Sequence, residues 1–327
     1  MNYIIFDLEW NQADRKGEED PRLPFEIVEI GAIKLNSSFE KIGEFSRLIR
    51  PTVYHTMHSI TQDIIHISMN ELRREQTFPA VMRYFRKWCG EDYMFGTWGP
   101  LDLTELQRNM DYFDFEPLSE GPLPFLDIQK LYALAYEPED AKKRRALNMA
   151  VEALDIEEDI PFHRAFADAY YTAKVLQRIA SEPFAEQILQ KVSYDVYRIP
   201  ANKKKEVHIT FDTYAKYISR EFANKQEAME DKEVISTKCY LCRRNARKKI
   251  RWFTPNGKHY YALACCSKHG FIKGKIRMKK TEGDKVYVVK TLKLVSEEQA
   301  AAVYERQEHA RELRRQHRRS RNKAKKA

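Results

Sequence analysis

Residues 2–10 read Asn2-Tyr-Ile-Ile-Phe-Asp7-Leu-Glu9-Trp10, an apolar run broken by two carboxylates two positions apart. Side chains alternate across a strand, so Asp7 and Glu9 leave the same face of the sheet. Ile4, Ile5, Phe6 and Leu8 leave no polar face beside them, which is the pattern of a central strand covered on both sides. On an exposed strand the same two acids would be ordinary surface charges. In an apolar strand they need partners. Adjacent carboxylates also repel, and a hard divalent cation with oxygen ligands is the simplest compensation.

Working outward, a second apolar run spans Glu26 to Leu35 and contains Gly31, and a third spans Glu44 to Arg50 and stops at Pro51. Three closely spaced strand signals predict a meander. Helical spacing follows in Pro79–Cys89, where Val81, Met82, Phe85 and Trp88 form a stripe. A short strand at Tyr93–Trp98 precedes Gly99-Pro100, and helical patterns resume at 102–113, 127–136, 147–154 and 166–179. Strands first and helices interleaved later predict an α/β domain with a mixed sheet.

Two further acids belong with this frame. Asp102 follows the Tyr93–Trp98 strand, where an isolated Asp would serve as a helix N-cap. His163-Arg-Ala-Phe-Ala-Asp168-Ala separates His from Asp by five positions, a net turn of roughly 140° on a helix. The two cannot share a helix face. His163 is therefore expected on the loop after Pro161, with Asp168 about one turn into the following helix.

Asp7-Leu-Glu9, Glu26-Ile-Val-Glu-Ile-Gly-Ala32, Asp102 and His163-Arg-Ala-Phe-Ala-Asp168-Ala together resemble the ordered motifs of the DEDDh 3′→5′ exonucleases, over about residues 1–182. Phe-Asp-Leu-Glu-Trp and Gly-Thr-Trp-Gly-Pro-Leu-Asp resemble most the exoribonuclease branch that trims histone-mRNA and small-RNA 3′ ends. His58-Ser-Ile-Thr-Gln-Asp-Ile-Ile is similar to the family's loop before its first helix, with Gln62 where many members carry Gly. The resemblance implies an RNase H-like mixed five-stranded sheet flanked by helices, and hydrolysis assisted by two Mg²⁺ or Mn²⁺ ions. It implies that Asp7 bridges both ions, Glu9 and Asp168 complete the first site, Asp102 holds the second ion and His163 is the general base. Trp10 is placed to stack on a terminal base; a core role at the end of a strand is the plainer alternative, as it is for Trp98.

The second half differs in kind. Residues 1–190 carry a formal charge of −12 and residues 191–327 carry +21, so the overall +9 conceals an asymmetry. Such asymmetry points to an acidic partner, nucleic acid first. Cys239-Tyr-Leu-Cys242 and Cys266-Ser-Lys-His269 are two close-spaced ligand pairs, the arrangement of a zinc ribbon with one structural Zn²⁺. Cys265 is an alternative to Cys266. Between the pairs, Pro255-Asn256-Gly257 predicts a tight hairpin joining 250–254 to 258–264. A second hairpin is expected from 272–279 and 285–294. Arg243, Arg244, Arg247, Lys248, Lys249 and Arg251 are candidate substrate contacts, with Lys273, Lys275, Arg277, Lys279 and Lys280 further along and Trp252, Phe253, Tyr260 and Tyr261 interleaved. A helix is expected through Tyr214, Tyr217, Ile218 and Phe222, and another from Ser296, with Gln299 placed for a capping box.

The expected organisation is an exonuclease domain at 1–182, a helical linker at 183–236, a basic zinc-ribbon-like β module at 237–295 and a basic helix or tail at 296–327. Several classes drop out. No apolar run approaches the ~20 residues of a membrane helix, and Asp7 and Glu9 interrupt the early apolar stretch that a signal peptide would need. Five Cys, four of them late, do not make a disulfide framework, and Cys89 sits on an apolar helical stripe. The expectation is a cytoplasmic enzyme acting on single-stranded nucleic acid, RNA in preference to DNA. The alternatives are a DNA exonuclease of repair or proofreading and a catalytically silent RNA- or ribosome-binding protein.

Overall fold

The structure is a computed structural model that describes residues 1–324 apart from 16, 60, 63–65, 141–143, 212 and 282. Part of the His58–Ile65 loop therefore lies outside the described residues, as does Glu282 of the second hairpin turn. The chain divides into two compact units, Met1–Arg198 and Ile199–Ala327.

In the first unit, β1 (Asn2–Asn11), β2 (Glu26–Leu35) and β3 (Lys41–Leu48) form the meander. They are followed by α1 (Met69–Leu72), α2 (Phe78–Cys89), β4 (Tyr93–Thr97), α3 (Leu101–Tyr112), β5 (Leu123–Asp127), α4 (Ile128–Tyr136) and α5 (Leu147–Ala153). The unit closes with α6 (Ala165–Ala180), α7 (Ala185–Leu189) and β6 (Ser193–Asp195). The strand order is β3-β2-β1-β4-β5-β6, with β1 parallel to β4, β4 parallel to β5 and the remaining pairs antiparallel. The sheet is thus mixed and α/β, as expected, but has six strands and not five. The added β6 is three residues long and pairs at the edge, too short to stand out from a polar stretch. β5 was hidden as well, because Pro124 sits inside it.

β1 lies in the middle and is covered on both faces. Its even positions Ile4, Phe6 and Leu8 pack with Val81, Met82 and Phe85 of α2 and Leu103, Leu106 and Met110 of α3. Ile5 faces the other layer, with Leu131 and Tyr132 of α4, Ala150 of α5, and Tyr171, Val175 and Leu176 of α6. Cys89 is buried in the first layer, which pushes its thiol up to about 12. Trp98 is part of the second layer and donates its indole N–H to the Arg145 carbonyl at 3.0 Å.

The second unit is a sheet of order β7-β8-β12-β11-β10-β9, built from β7 (Val207–Thr210), β8 (Tyr214–Ile218), β9 (Arg247–Phe253), β10 (His259–Cys266), β11 (Gly270–Lys280) and β12 (Val286–Val295). Two helices accompany it, α8 (Lys225–Glu230) and α9 (Glu297–Ala324). Both expected hairpins are present, and Gly257 supplies the positive φ (69°) of the first. The Ser296 hydroxyl caps α9 by accepting the Gln299 N–H at 3.2 Å. Ala300, Val303 and Ala310 of that helix pack on Ile250, Phe253, Tyr261 and Leu263.

Residues 214–222 correct the sequence reading. Tyr214, Tyr217 and Ile218 have helical spacing, yet they form β8, paired with both β7 and β12. Tyr217 and Ile218 are consecutive and both buried, as in a strand inside a sheet that is covered on both faces. The segment read as a helical linker, 183–236, accordingly holds β6, β7 and β8 beside the short helices α7 and α8.

The tightest constraint in the first unit is at Gly31. A Cβ built there would lie 2.1 Å from the backbone of Ala165 and Phe166, so the first turn of α6 rests directly on β2. Gly31→Ala is expected to lower stability by about 1–3 kcal/mol through overpacking and to displace α6. A thermal melt equal to that of the wild type would contradict this contact.

Candidate active site

The register of the first hairpin assembles the site. Asp7 pairs with Gly31 and Glu9 with Glu29 across β1 and β2, and directly opposed residues share a face. Where Gly31 lacks a side chain, α6 settles beside Asp7 and brings Asp168, in its first turn, to the two strand carboxylates. Ligand oxygens of Asp7, Glu9 and Asp168 lie within 4.8 Å of one another. Asp102 is buried in the first turn of α3, with Pro100 and not Asp102 at the cap position. It stands near enough to Asp7 and Asp168 to repel both.

The electrostatics follow from enclosure and like charge. Burial, then repulsion from Asp102, Asp168, Glu9 and Glu29, drives the Asp7 carboxyl well above its ordinary range. Burial and the charges of Asp168 and Glu29 lift Glu9 to about 8. Burial raises Asp102 to about 7 despite backbone hydrogen bonds at Asp102 and Leu8. Asp168 is raised by burial against the N–H that His163 donates to its Oδ1 at 3.4 Å. Three convergent acids and a fourth nearby match the hard-oxygen donor set of Mg²⁺ or Mn²⁺.

His163 is exposed on the loop before α6, with a left-handed backbone (φ 70°) unusual for a non-glycine residue. Two residues given no role from sequence hold this loop. Arg164 reaches the buried Glu29 with two bonds, Nε to Oε2 and Nη2 to Oε1, each 3.0 Å, and Ala165 N–H donates to the same carboxylate at 3.4 Å. Glu29 was visible as an acid inside an Ile/Val strand. Its partner is 135 positions away and was not. Trp10 is half-buried, its ring 5.4 Å from Phe25 and packed against the first core layer.

A second cluster lies in the other unit. Cys239, Cys242, Cys266 and His269 bring their ligand atoms within 4.8 Å. Cys242 and Cys266 sulfurs are 3.7 Å apart, and His269 Nδ1 is 3.3 Å from Cys239 Sγ and 3.8 Å from Cys266 Sγ. Four ligands at ~2.3 Å from a tetrahedral Zn²⁺ would stand about 3.8 Å apart, so this donor set fits the ion. Backbone N–H groups of Lys268 and His269 hold the Cys266 thiol down, to about 6. Cys265 is outside the cluster, its sulfur directed to the Cys266 carbonyl. Each ligand pair is followed by a left-handed residue, Arg243 (φ 59°) and Gly270 (φ 82°), which turns the chain back. Arg243, Arg244, Arg247, Lys248, Lys249 and Arg251 are all exposed, the last four on the edge strand β9. Among the described residues no helix is long and apolar enough to cross a membrane.

The model of the RNase T exonuclease family matches residues 4–176. No curated protein matches the chain. Similar solved structures include the nuclease domain of 3'hExo, described as a DEDDh family member bound to rAMP (20% identity, 56% of this chain and 94% of that one, TM-score 0.48). Cell-death related nuclease 4 is similar at 18% identity (60% and 66% covered, TM-score 0.46). The zinc-bound Escherichia coli ExoI–ssDNA complex is similar at 16% identity (67% and 54% covered, TM-score 0.47).

The raised carboxylates carry a sign for stability. Without metal the folded site holds protons that the unfolded chain releases near pH ~4, so the contribution of these acids to stability is most favourable at low pH and falls as pH rises until Glu9, at about 8, has ionised. Melting temperatures measured without added Mg²⁺ or Mn²⁺ should therefore decline across about pH 4–8 more steeply than those of Glu9→Gln, and millimolar Mn²⁺ should flatten the decline. A pH-independent difference between the two conditions would contradict the assignment.

Proposed function

The chain belongs to the RNase T exonuclease family, and from this premise we propose that it is a metal-dependent 3′→5′ exonuclease acting on single-stranded nucleic acid, RNA in preference to DNA. The convergence of Asp7, Glu9 and Asp168, with Asp102 beside them, carries the reading. Four acids driven above their ordinary range are a standing cost to the fold unless cations neutralise them. Two Mg²⁺ or Mn²⁺ ions held by Asp7, Glu9, Asp168 and Asp102 would supply an activated water and neutralise charge on the phosphoryl and leaving oxygens.

The chain's own groups divide the remaining work. His163, exposed on its loop, takes the proton of the attacking water. Its backbone N–H, bonded to Asp168, ties the base to the carboxylate cluster. The Arg164–Glu29 pair keeps that loop in place, and the Arg164 charge partly offsets the repulsion that Asp168 and Glu29 exert on Glu9. The preference for RNA rests on the Phe6–Trp10 and Gly96–Asp102 motifs and their likeness to the exoribonuclease branch. In the second unit, Cys239, Cys242, Cys266 and His269 hold a structural Zn²⁺. Four protein ligands leave no open position for chemistry. The exposed cations on and before β9 contact substrate phosphates.

On 5′-labelled single-stranded RNA with Mg²⁺, the wild type should produce a ladder shortened from the 3′ end that EDTA abolishes. Asp7→Asn and Asp168→Asn should each cut the rate by about a thousandfold or more, the scale of losing a charge-stabilising group. Full activity in either folded variant would sink the metal assignment, and absence of shortening of RNA and DNA by the wild type would sink the enzyme. Elemental analysis is expected to give about one zinc per chain, which the four-ligand site requires, and none in Cys239→Ser. Zinc-free wild type would remove the second site.

A further inference from the structure

The six strands of the second unit contain no Asp or Glu at all, and their Lys and Arg number one on β8, four on β9, five on β11 and two on β12. Pleating sorts these cations. The even positions of β11, Ile272, Gly274, Ile276 and Met278, are buried, while its odd positions carry Lys273, Lys275, Arg277 and Lys279 in succession. Register extends the odd face sideways. Lys273 stands opposite Lys293 of β12 and Leu263 of β10, Arg277 opposite Val289 and His259, and Lys279 opposite Tyr287. Directly opposed like charges such as Lys273 and Lys293 are unfavourable neighbours in a sheet.

α9 covers only part of this face, where Tyr261, Leu263 and Phe271 meet Ala300 and Val303. At its border Arg306 lies over the Tyr261 ring at 4.6 Å and Lys275 approaches the same ring at 5.9 Å. Arg277, Lys279 and Lys293, beyond the helix, are exposed.

We propose that the odd face of β11, from Lys273 to Lys279, is a track for the phosphodiester backbone of single-stranded nucleic acid, distinct from the edge-strand cations of β9. The proposal rests on the exonuclease reading for its choice of polyanion. Side chains two apart on a strand are roughly 6.8 Å apart, the scale on which an extended nucleic-acid chain presents successive phosphates. A row of cations at that interval meets one phosphate each. The flanking His259 and Tyr287 offer rings on which unpaired bases stack. A duplex keeps its bases paired and denies them to such rings.

The test is equilibrium binding of a fluorescein-labelled oligouridylate to the zinc-loaded Asp7→Asn protein without added Mg²⁺ or Mn²⁺, over a series of salt concentrations. Replacing Lys275, Arg277 and Lys279 by Gln together should weaken binding about tenfold or more and reduce the slope of log affinity against log salt by about 2, from ~0.7 per phosphate contact on a single strand. The charge-preserving variant with Lys275→Arg, Arg277→Lys and Lys279→Arg should keep the parent slope, which separates charge from fold. An unchanged slope in a triple-Gln protein whose melting curve shows it folded would overturn the track, as would equal losses in both variants. Hydrolysis of the p-nitrophenyl ester of thymidine 5′-monophosphate by the wild type with Mn²⁺ tests the exonuclease reading separately. Its absence would remove that reading while the salt slopes still decide whether β11 carries the polyanion.

Discussion

Everything at the candidate active site depends on one steric fact, the absence of a side chain at residue 31. Because Gly31 pairs with Asp7, the single gap on β2 lies beside the carboxylate that the other acids must reach. The first turn of α6 fills it, and Asp168 arrives with that turn. Helix and strand backbones in direct contact leave little freedom to slide, so the spacing of the carboxylates is set by the main chain. The ion pair of Arg164 with the buried Glu29 then fixes the approach to the helix from outside. Packing decides where the charges stand, and the charges make the place costly to leave unneutralised.

Much of this could be read from residues alone, and the reasons for the rest are specific. Asp7 and Glu9 were legible because strand alternation is rigid, and the surrounding Ile4, Ile5, Phe6 and Leu8 declared the strand central. The loop position of His163 followed from helical geometry. Arg164 and Glu29 were not paired in advance, since a contact across 135 positions has no local signature. β5 carries Pro124, and β6 has three residues. Tyr214, Tyr217 and Ile218 imitate a helix stripe although they bury both faces of a strand. In that case tertiary pairing overrode a local period.

The two units solve opposite electrostatic problems. In the first, negative charge is concentrated at one end of a strand in an otherwise apolar interior, and enclosure amplifies it. In the second, positive charge is spread across strands that themselves contain no Asp or Glu. The apolar even face of β11 and the Cys239–His269 cluster supply the cohesion that the charges oppose. Each unit therefore gives up stability in a pattern that a ligand of opposite sign would restore.

The alternation of β1 has a consequence for how this gene can change. Odd positions of the strand face α6, and even positions face the aromatic layer of Phe85 and Phe95. Inserting or deleting one codon between Ile4 and Asp7 would exchange the faces of the residues that follow, driving both carboxylates into aromatic packing. A two-codon change preserves the parity. Length variation in this strand should therefore be filtered by evenness, and the reading frame of the sheet is counted in pairs.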